Sequence, residues 1–221
     1  MTIQERLDEL RRNIPAGCTL IAVSKTQPPE KIQEAYAAGQ RVFGENRAQE
    51  LATKYDALPK DIIWHMIGHL QTNKVKYIAP FVGLIHSVDS LKLLEEINRQ
   101  GFKLGRIIPC LLQIHIAEEE SKFGFLPKEV SDLIASTLWA DMKHIEIKGL
   151  MGMATFTSDE QQVRREFRSL KALFEKLRGA GLPAPVKMEE LSMGMSGDYK
   201  IALEEGSTMV RVGTAIFGLR N

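Results

Sequence analysis

Short apolar runs alternate along the chain with longer stretches in which apolar positions recur three or four apart. The first kind reads as buried strand and the second as amphipathic helix. Ile3, Leu7 and Leu10 share one face of an opening helix over residues 2–12. Strands are expected over 20–24, 41–44, 62–67, 84–88, 109–116, 145–150, a run ending at 190–192, and 209–212. Helices are expected over 29–38, 48–57, 72–79, 91–100, 127–139, 159–178 and 198–204. Local signals set the boundaries. Pro29 suits a first helical turn, Gly39 and Gly101 read as helix-ending residues, and Asn46 and either Asp89 or Ser90 read as N-caps. About eight βα units in one chain argue for a parallel (β/α)8 barrel of α/β class, with the opening helix as an extra cover. An open doubly wound sheet shares the local pattern, because strand order is invisible in one sequence. No linker or low-complexity stretch interrupts the alternation, so a single domain over 1–221 is expected.

The informative polar residues fall at strand ends. Lys25 closes the run Leu20-Ile21-Ala22-Val23-Ser24-Lys25. It reads either as a solvated strand-end lysine or as an amine able to form a Schiff base with an aldehyde, placed where barrels put their chemistry. Two loops follow strands seven and eight: Ser192-Met193-Gly194-Met195-Ser196-Gly197 and Gly213-Thr214-Ala215-Ile216-Phe217-Gly218. Glycines allow backbone N–H groups to converge on one anion, and barrels often bind phosphate at these two loops. The alternative is a pair of tight, capped turns. Arg211 shares a strand face with Met209. An arginine inside a barrel needs a partner, which is either a carboxylate on a neighbouring strand or a ligand's ring nitrogen or anionic group. Amine, anion cradle and buried cation together describe a site for pyridoxal 5′-phosphate (PLP). The aldehyde would join Lys25, the phosphate would rest in the glycine loops, and the pyridine nitrogen would face Arg211. Arginine stays protonated, so it would donate to an unprotonated ring nitrogen and leave the ring a weaker electron sink. That suits holding the cofactor better than driving carbanion chemistry.

Composition narrows the partners. Lys+Arg total 29 and Asp+Glu 28, a net charge of +1 in 221 residues. That balance gives no electrostatic case for nucleic acid or a membrane surface. No apolar run approaches the roughly 18 residues needed to span a bilayer. Residues 1–7 carry charge and lack a signal peptide's apolar segment, so a cytoplasmic location is expected. Cys18 and Cys110 have no neighbours at metal-ligand spacing. His65 and His69 lie on a strand running into a loop rather than on a helix, so no metal site is expected.

Many blocks along the chain carry a resemblance. They are Ala22-Val23-Ser24-Lys25, Phe43-Gly44-Glu45-Asn46-Arg47-Ala48-Gln49-Glu50, Trp64-His65-Met66-Ile67-Gly68-His69-Leu70-Gln71-Thr72-Asn73-Lys74 and His86-Ser87-Val88-Asp89. Lys122-Phe123-Gly124-Phe125, Gly149-Leu150-Met151, Leu191-Ser192-Met193-Gly194-Met195-Ser196 and the segment from Arg211 to Gly218 continue the series. In this order they resemble the YggS/PROSC family of PLP-binding proteins, also called pyridoxal phosphate homeostasis proteins. The resemblance implies a single barrel similar to the N-terminal domain of alanine racemase. It implies Lys25 as the internal aldimine lysine, Ser192, Gly213 and Thr214 on the phosphate, Arg211 facing the pyridine nitrogen, and Asn46 at the cofactor's rim. The implied role is to bind and buffer PLP and deliver it to PLP-dependent apo-enzymes, without robust turnover, and a monomer is expected.

Two other functions share parts of this pattern. A PLP-dependent amino-acid racemase or decarboxylase of the same barrel type would carry a further β domain, and a racemase needs a second base on the cofactor's far face. Tyr36, Tyr55, Tyr77 and Tyr199 all fall in or near expected helices. A Schiff-base aldolase acting on a sugar phosphate would also use an amine and phosphate loops. The residues leave the roles of His65, His69 and Lys122 open, along with the identity of the enzymes that would receive the cofactor.

Overall fold

The computed structural model describes residues 1–118 and 123–218. Its first half runs α1 (Ile3–Asn13), β1 (Thr19–Val23), α2 (Pro29–Ala37), β2 (Val42–Glu45), α3 (Ala48–Ala57), β3 (Ile63–Met66), α4 (Val75–Ile78), β4 (Leu84–Val88) and α5 (Leu91–Leu104). Its second half runs β5 (Ile108–Ile114), α6 (Pro127–Ala135), β6 (Ile145–Gly152), α7 (Glu160–Arg178), β7 (Val186–Met195), α8 (Tyr199–Glu204), β8 (Met209–Val212) and α9 (Thr214–Phe217). Each strand pairs in parallel with the next, and β1 pairs with β8, so the sheet is a closed eight-stranded barrel and not an open sheet. Among the described residues no helix is long and apolar enough to cross a membrane.

Two separate sets of apolar side chains hold this shape. Alternation sends one set outward against the helices. There Phe43 and Trp64 pack with ring centroids 5.8 Å apart, and Leu51, Ile78, Leu94 and Phe167 are fully buried. The other set, Ile21, Leu84, Leu111, Met151 and Met209, comes from five strands and forms its own cluster inside the barrel. The opening helix α1, expected as a cover at one end, lies against α2 and α9. Its start is a capping box, with Thr2 Oγ1 accepting from the Glu5 amide at 3.2 Å and Glu5 Oε2 accepting from the Thr2 amide at 2.8 Å. Arg6 ties it to α9 by donating to Ile216 O at 3.2 Å.

Several local expectations change. α5 runs through Gly101 and ends at Gly105, whose φ is +60°. Gly101 serves close approach instead: a Cβ there would lie 2.5 Å from His144 O. Arg47, not Asn46, sits at the N-cap of α3, without a side-chain bond. Ser90 rather than Asp89 caps α5, because the Asp89 carboxylate is engaged by His69. The stretch expected as one helix over 127–139 divides at Ser136 into α6 and a 3₁₀ turn. α9 follows β8 where the sequence pattern gave no helix.

The β6–β7 seam is irregular, with a register shift between Ile147 and Gly149. Gly149 has φ +156°, and a Cβ there would lie 1.8 Å from Glu190 O, a backbone atom that cannot swing aside. Gly149→Ala is therefore expected to lower the unfolding free energy by about 3 kcal/mol or more in urea titrations. Gly181→Ala, where a Cβ meets nothing within 4 Å, is expected to stay within about 0.5 kcal/mol of the parent.

Candidate functional site

Parallel strands in a closed barrel bring all their carboxyl ends to one rim. A cavity of about 320 Å³ opens there, at the lower end of the range for small-molecule sites. Lys25 and Asn46, from the ends of β1 and β2, line it together with Ser196, Gly197, Gly213 and Thr214, from the loops after β7 and β8. Val23, Ile67, Met153, Met195 and Phe156 supply apolar surface, and Arg211 closes the floor.

Arg211 is 4% exposed. Its Nη1 donates to Ser192 Oγ and its Nη2 to Gly152 O at 3.0 Å. Among the described residues no carboxylate lies within ion-pair distance of it, although Asp198 acts on it from further away. Burial pulls the guanidinium down to about 10, with Asp198 opposing, so it remains charged at neutral pH. The carboxylate partner on a neighbouring strand is thus replaced by neutral acceptors. Two of its five N–H groups are used by these bonds.

Beneath the floor lies a buried polar chain. Ser192 Oγ sits 2.9 Å from His86 Nδ1, and His86 Nε2 sits 3.0 Å from His65 Nδ1. β4 and β7 are not neighbours, so the His86–Ser192 bond crosses the barrel interior. Burial holds both imidazoles neutral, His65 at about 3 and His86 well below its ordinary value. Arg211 fills one lone pair of Ser192, and one ordering of the chain has the hydroxyl donating to His86 Nδ1 and His86 Nε2–H donating to His65 Nδ1. That ordering gives each of these protons an acceptor.

Ser196 Oγ accepts from the Gly213 amide at 3.1 Å, joining the two glycine-bearing loops. Asp198 also lines the cavity. Its Oδ1 accepts from the Met195 amide; burial raises its carboxyl, opposed by that bond and by Arg211.

Of the residues expected from the sequence, Lys25, Asn46, Arg211, Gly213 and Thr214 meet at one cavity. Ser192 does not line it. It is fully buried one layer below, bonded to Arg211 and His86. Ser196, four residues on, occupies the wall instead. The loop was legible as a glycine-rich unit, but which hydroxyl faces the cavity depends on the turn at Gly194, where φ is +92°. His86 and Asp198 stood in the strand-end motifs without a role. His65 belongs to the barrel interior. His69 lies outside the cavity lining, its Nδ1 2.8 Å from Asp89 Oδ2 and its ring stacked on Phe123 at 4.0 Å. Lys122 falls outside the described residues.

Known proteins resemble this chain in sequence and fold. The model of the alanine racemase N-terminal domain family matches residues 1–221. A pyridoxal phosphate homeostasis protein of Aquifex aeolicus is 39% identical over 231 residues, covering 100% of this chain and 99% of that one. Among solved structures, PipY of Synechococcus elongatus PCC7942 without PLP aligns with a TM-score of 0.89 and 38% identity, over 98% of this chain and 100% of that chain. The same protein with PLP bound aligns at 0.85 and 37%, with the same coverage. Alanine racemase of Clostridium difficile 630 shares the fold at a TM-score of 0.77 and 17% identity, and this chain covers 56% of its length. With near-complete mutual coverage of the homeostasis proteins and only about half of a racemase, the chain belongs to the alanine racemase N-terminal domain family and, within it, to the pyridoxal phosphate homeostasis proteins.

Proposed function

We propose that this chain binds PLP in the rim cavity, holds it by a Schiff base to Lys25, and serves as a reserve from which the cofactor passes to PLP-dependent apo-enzymes. The observation that carries the proposal is one cavity lined by an amine, a buried guanidinium and two glycine- and hydroxyl-bearing loops. These residues fit the group. Arg211 is desolvated without an ion pair among the described residues, an expensive state that an acceptor on the ligand would relieve. Ser196, Gly197, Gly213 and Thr214 would take the phosphate, Lys25 the aldehyde, Arg211 the ring nitrogen, and Asn46 the rim. Ser192, implied for phosphate by the resemblance, is assigned here to holding Arg211. The proposed unit is a single monomeric domain over 1–221 acting in the cytoplasm.

The names of the relatives support a homeostatic role, as does the PipY structure with PLP bound. When bound, PLP supplies an electron-accepting ring. In this reading the permanent cation Arg211 faces the ring nitrogen, and among the described lining residues there is no tyrosine to act as a second base. The proposal is therefore a carrier without robust racemase or decarboxylase turnover. Such turnover, measured with PLP-loaded protein and free amino acids, would overturn the carrier assignment.

Protein saturated with PLP is expected to absorb in the visible, and the band should vanish in Lys25→Ala. Borohydride reduction followed by peptide mapping should place the label on Lys25. A colourless parent chain, as a sugar-phosphate aldolase would be, or a label on another nitrogen would contradict the proposal. Arg211→Gln should raise the Kd for PLP about 10- to 100-fold, the range expected for removing a charged hydrogen bond, as read by equilibrium dialysis.

A further inference from the structure

The turn that carries Lys25 is held in an unfavourable shape by a buried lysine. The Gln27 amide donates to Ser24 O at 2.9 Å, closing a turn with Lys25 and Thr26 at its centre. Thr26 has φ +63°, a value that type II turns require at this position and that a β-branched residue disfavours. Lys54, 6% exposed and on α3, reaches under this turn. Its Nζ donates to Ser24 O at 2.8 Å, to Glu45 Oε1 at 2.8 Å and to Glu50 Oε1 at 2.7 Å. These bonds use all three ammonium protons. Glu50 Oε1 also accepts from the Thr26 amide at 2.6 Å, and Ser24 Oγ donates to Glu45 Oε1 at 2.6 Å. The peptide group before Lys25 is thus gripped by its carbonyl, and the one after it by its N–H.

This cluster is a poor device for stability alone. Glu45 is fully buried, and its Oε2 has no hydrogen-bond partner among the described residues. Burial raises the Glu45 carboxyl, against the pull of Lys54 and Ser24. Burial also works against Glu50, yet Lys54, the Thr26 amide and Arg47 together hold that carboxyl below its ordinary value. Buried ion pairs of this kind are often matched in stability by apolar side chains. What apolar side chains could not do is hold two successive peptide groups in a strained turn.

We propose that Lys54 is a positioning residue for Lys25: with Glu45 and Glu50 it fixes the peptide groups on either side of Lys25 and so sets where that amine enters the cavity. The inference rests on the PLP reading above. Condensation exchanges the aldehyde's C=O for a C=N bond to Lys25 Nζ, and the aldehyde oxygen leaves as water with the two amine protons. Its rate depends steeply on approach distance and angle. The groups proposed for ring and phosphate come from β7, β8 and their loops, and none of them bonds to Lys54, Glu45 or Glu50.

That separation supplies the test. The parent chain, Glu50→Gln and Lys54→Met are each mixed with PLP and with 4-deoxypyridoxine 5′-phosphate, which keeps ring and phosphate but lacks the aldehyde. Stopped-flow absorbance follows the imine band, and calorimetry gives the analogue's Kd. Each variant is expected to slow condensation at least tenfold while changing the analogue's Kd less than twofold, and Lys54→Arg is expected to recover part of the rate. Unchanged rates overturn the proposal, as does an equal loss for both ligands, which would mark general loosening of the barrel. Should Lys54→Met not fold, Glu50→Gln, on a half-buried side chain, decides alone. A parent chain with no imine band sinks the PLP reading and this inference with it. A normal parent band with unaltered variants sinks the inference only.

Discussion

The pairing of β1 with β8 is the constraint on which the rest of the molecule depends. Its register sets Ala22 opposite Val212, and so brings the turn after β1 beside the loop after β8. Lys25 and Gly213 lie far apart along the chain, and only closure of the sheet makes them walls of one cavity. An open sheet with the same strands would leave them at separate edges. Closure also removes the two exposed strand edges and creates an interior where polar groups must find one another.

That interior is divided by chemistry. Ile21, Leu84, Leu111, Met151 and Met209 form an apolar layer, which packs without polar obligations. Arg211, Ser192, His86 and His65 form a polar chain at the floor of the cavity. The histidines are neutral because burial penalises their charged forms, and Arg211 keeps its charge because its ordinary pKa is so high that burial leaves it at about 10. One permanent cation therefore faces the cavity from a neutral support. A carboxylate in that position would protonate a ring nitrogen, whereas a guanidinium donates to it. In the proposed PLP reading, that difference weakens the ring as an electron sink.

A second polar cluster, around Lys54, lies under the turn after β1, and it differs in kind. It is ionic, compact and built around backbone groups, with Thr26 held at a positive φ above it. The floor cluster orients a side chain, and the wall cluster orients the main chain that bears Lys25. In both, buried polar groups are tolerated because they fix geometry at the rim, where small displacements matter most.

Much of this was legible along the chain. Period-two and period-3.6 patterning marked the eight strands and most helices, because burial of one face is a local demand on every element. Lys25, Arg211 and the two glycine-bearing loops stood out because amines, interior cations and glycines at strand ends are chemically conspicuous. The resemblance added Asn46, which proved to line the cavity rather than cap a helix. Less visible were the exchange of Ser192 for Ser196 on the cavity wall, the role of His86, and the grip of Lys54 on both sides of Lys25. Glu50 and Lys54 showed only as an ordinary pair four residues apart on a helix. The sequence by itself determined which segments are strands and helices and which residues carry reactive groups, since both follow from local periodicity and side-chain chemistry. The tertiary structure alone decided which of those groups share a cavity and which hydrogen-bond beneath it, because that depends on strand register, loop dihedrals and burial, none of which is a property of neighbours in sequence.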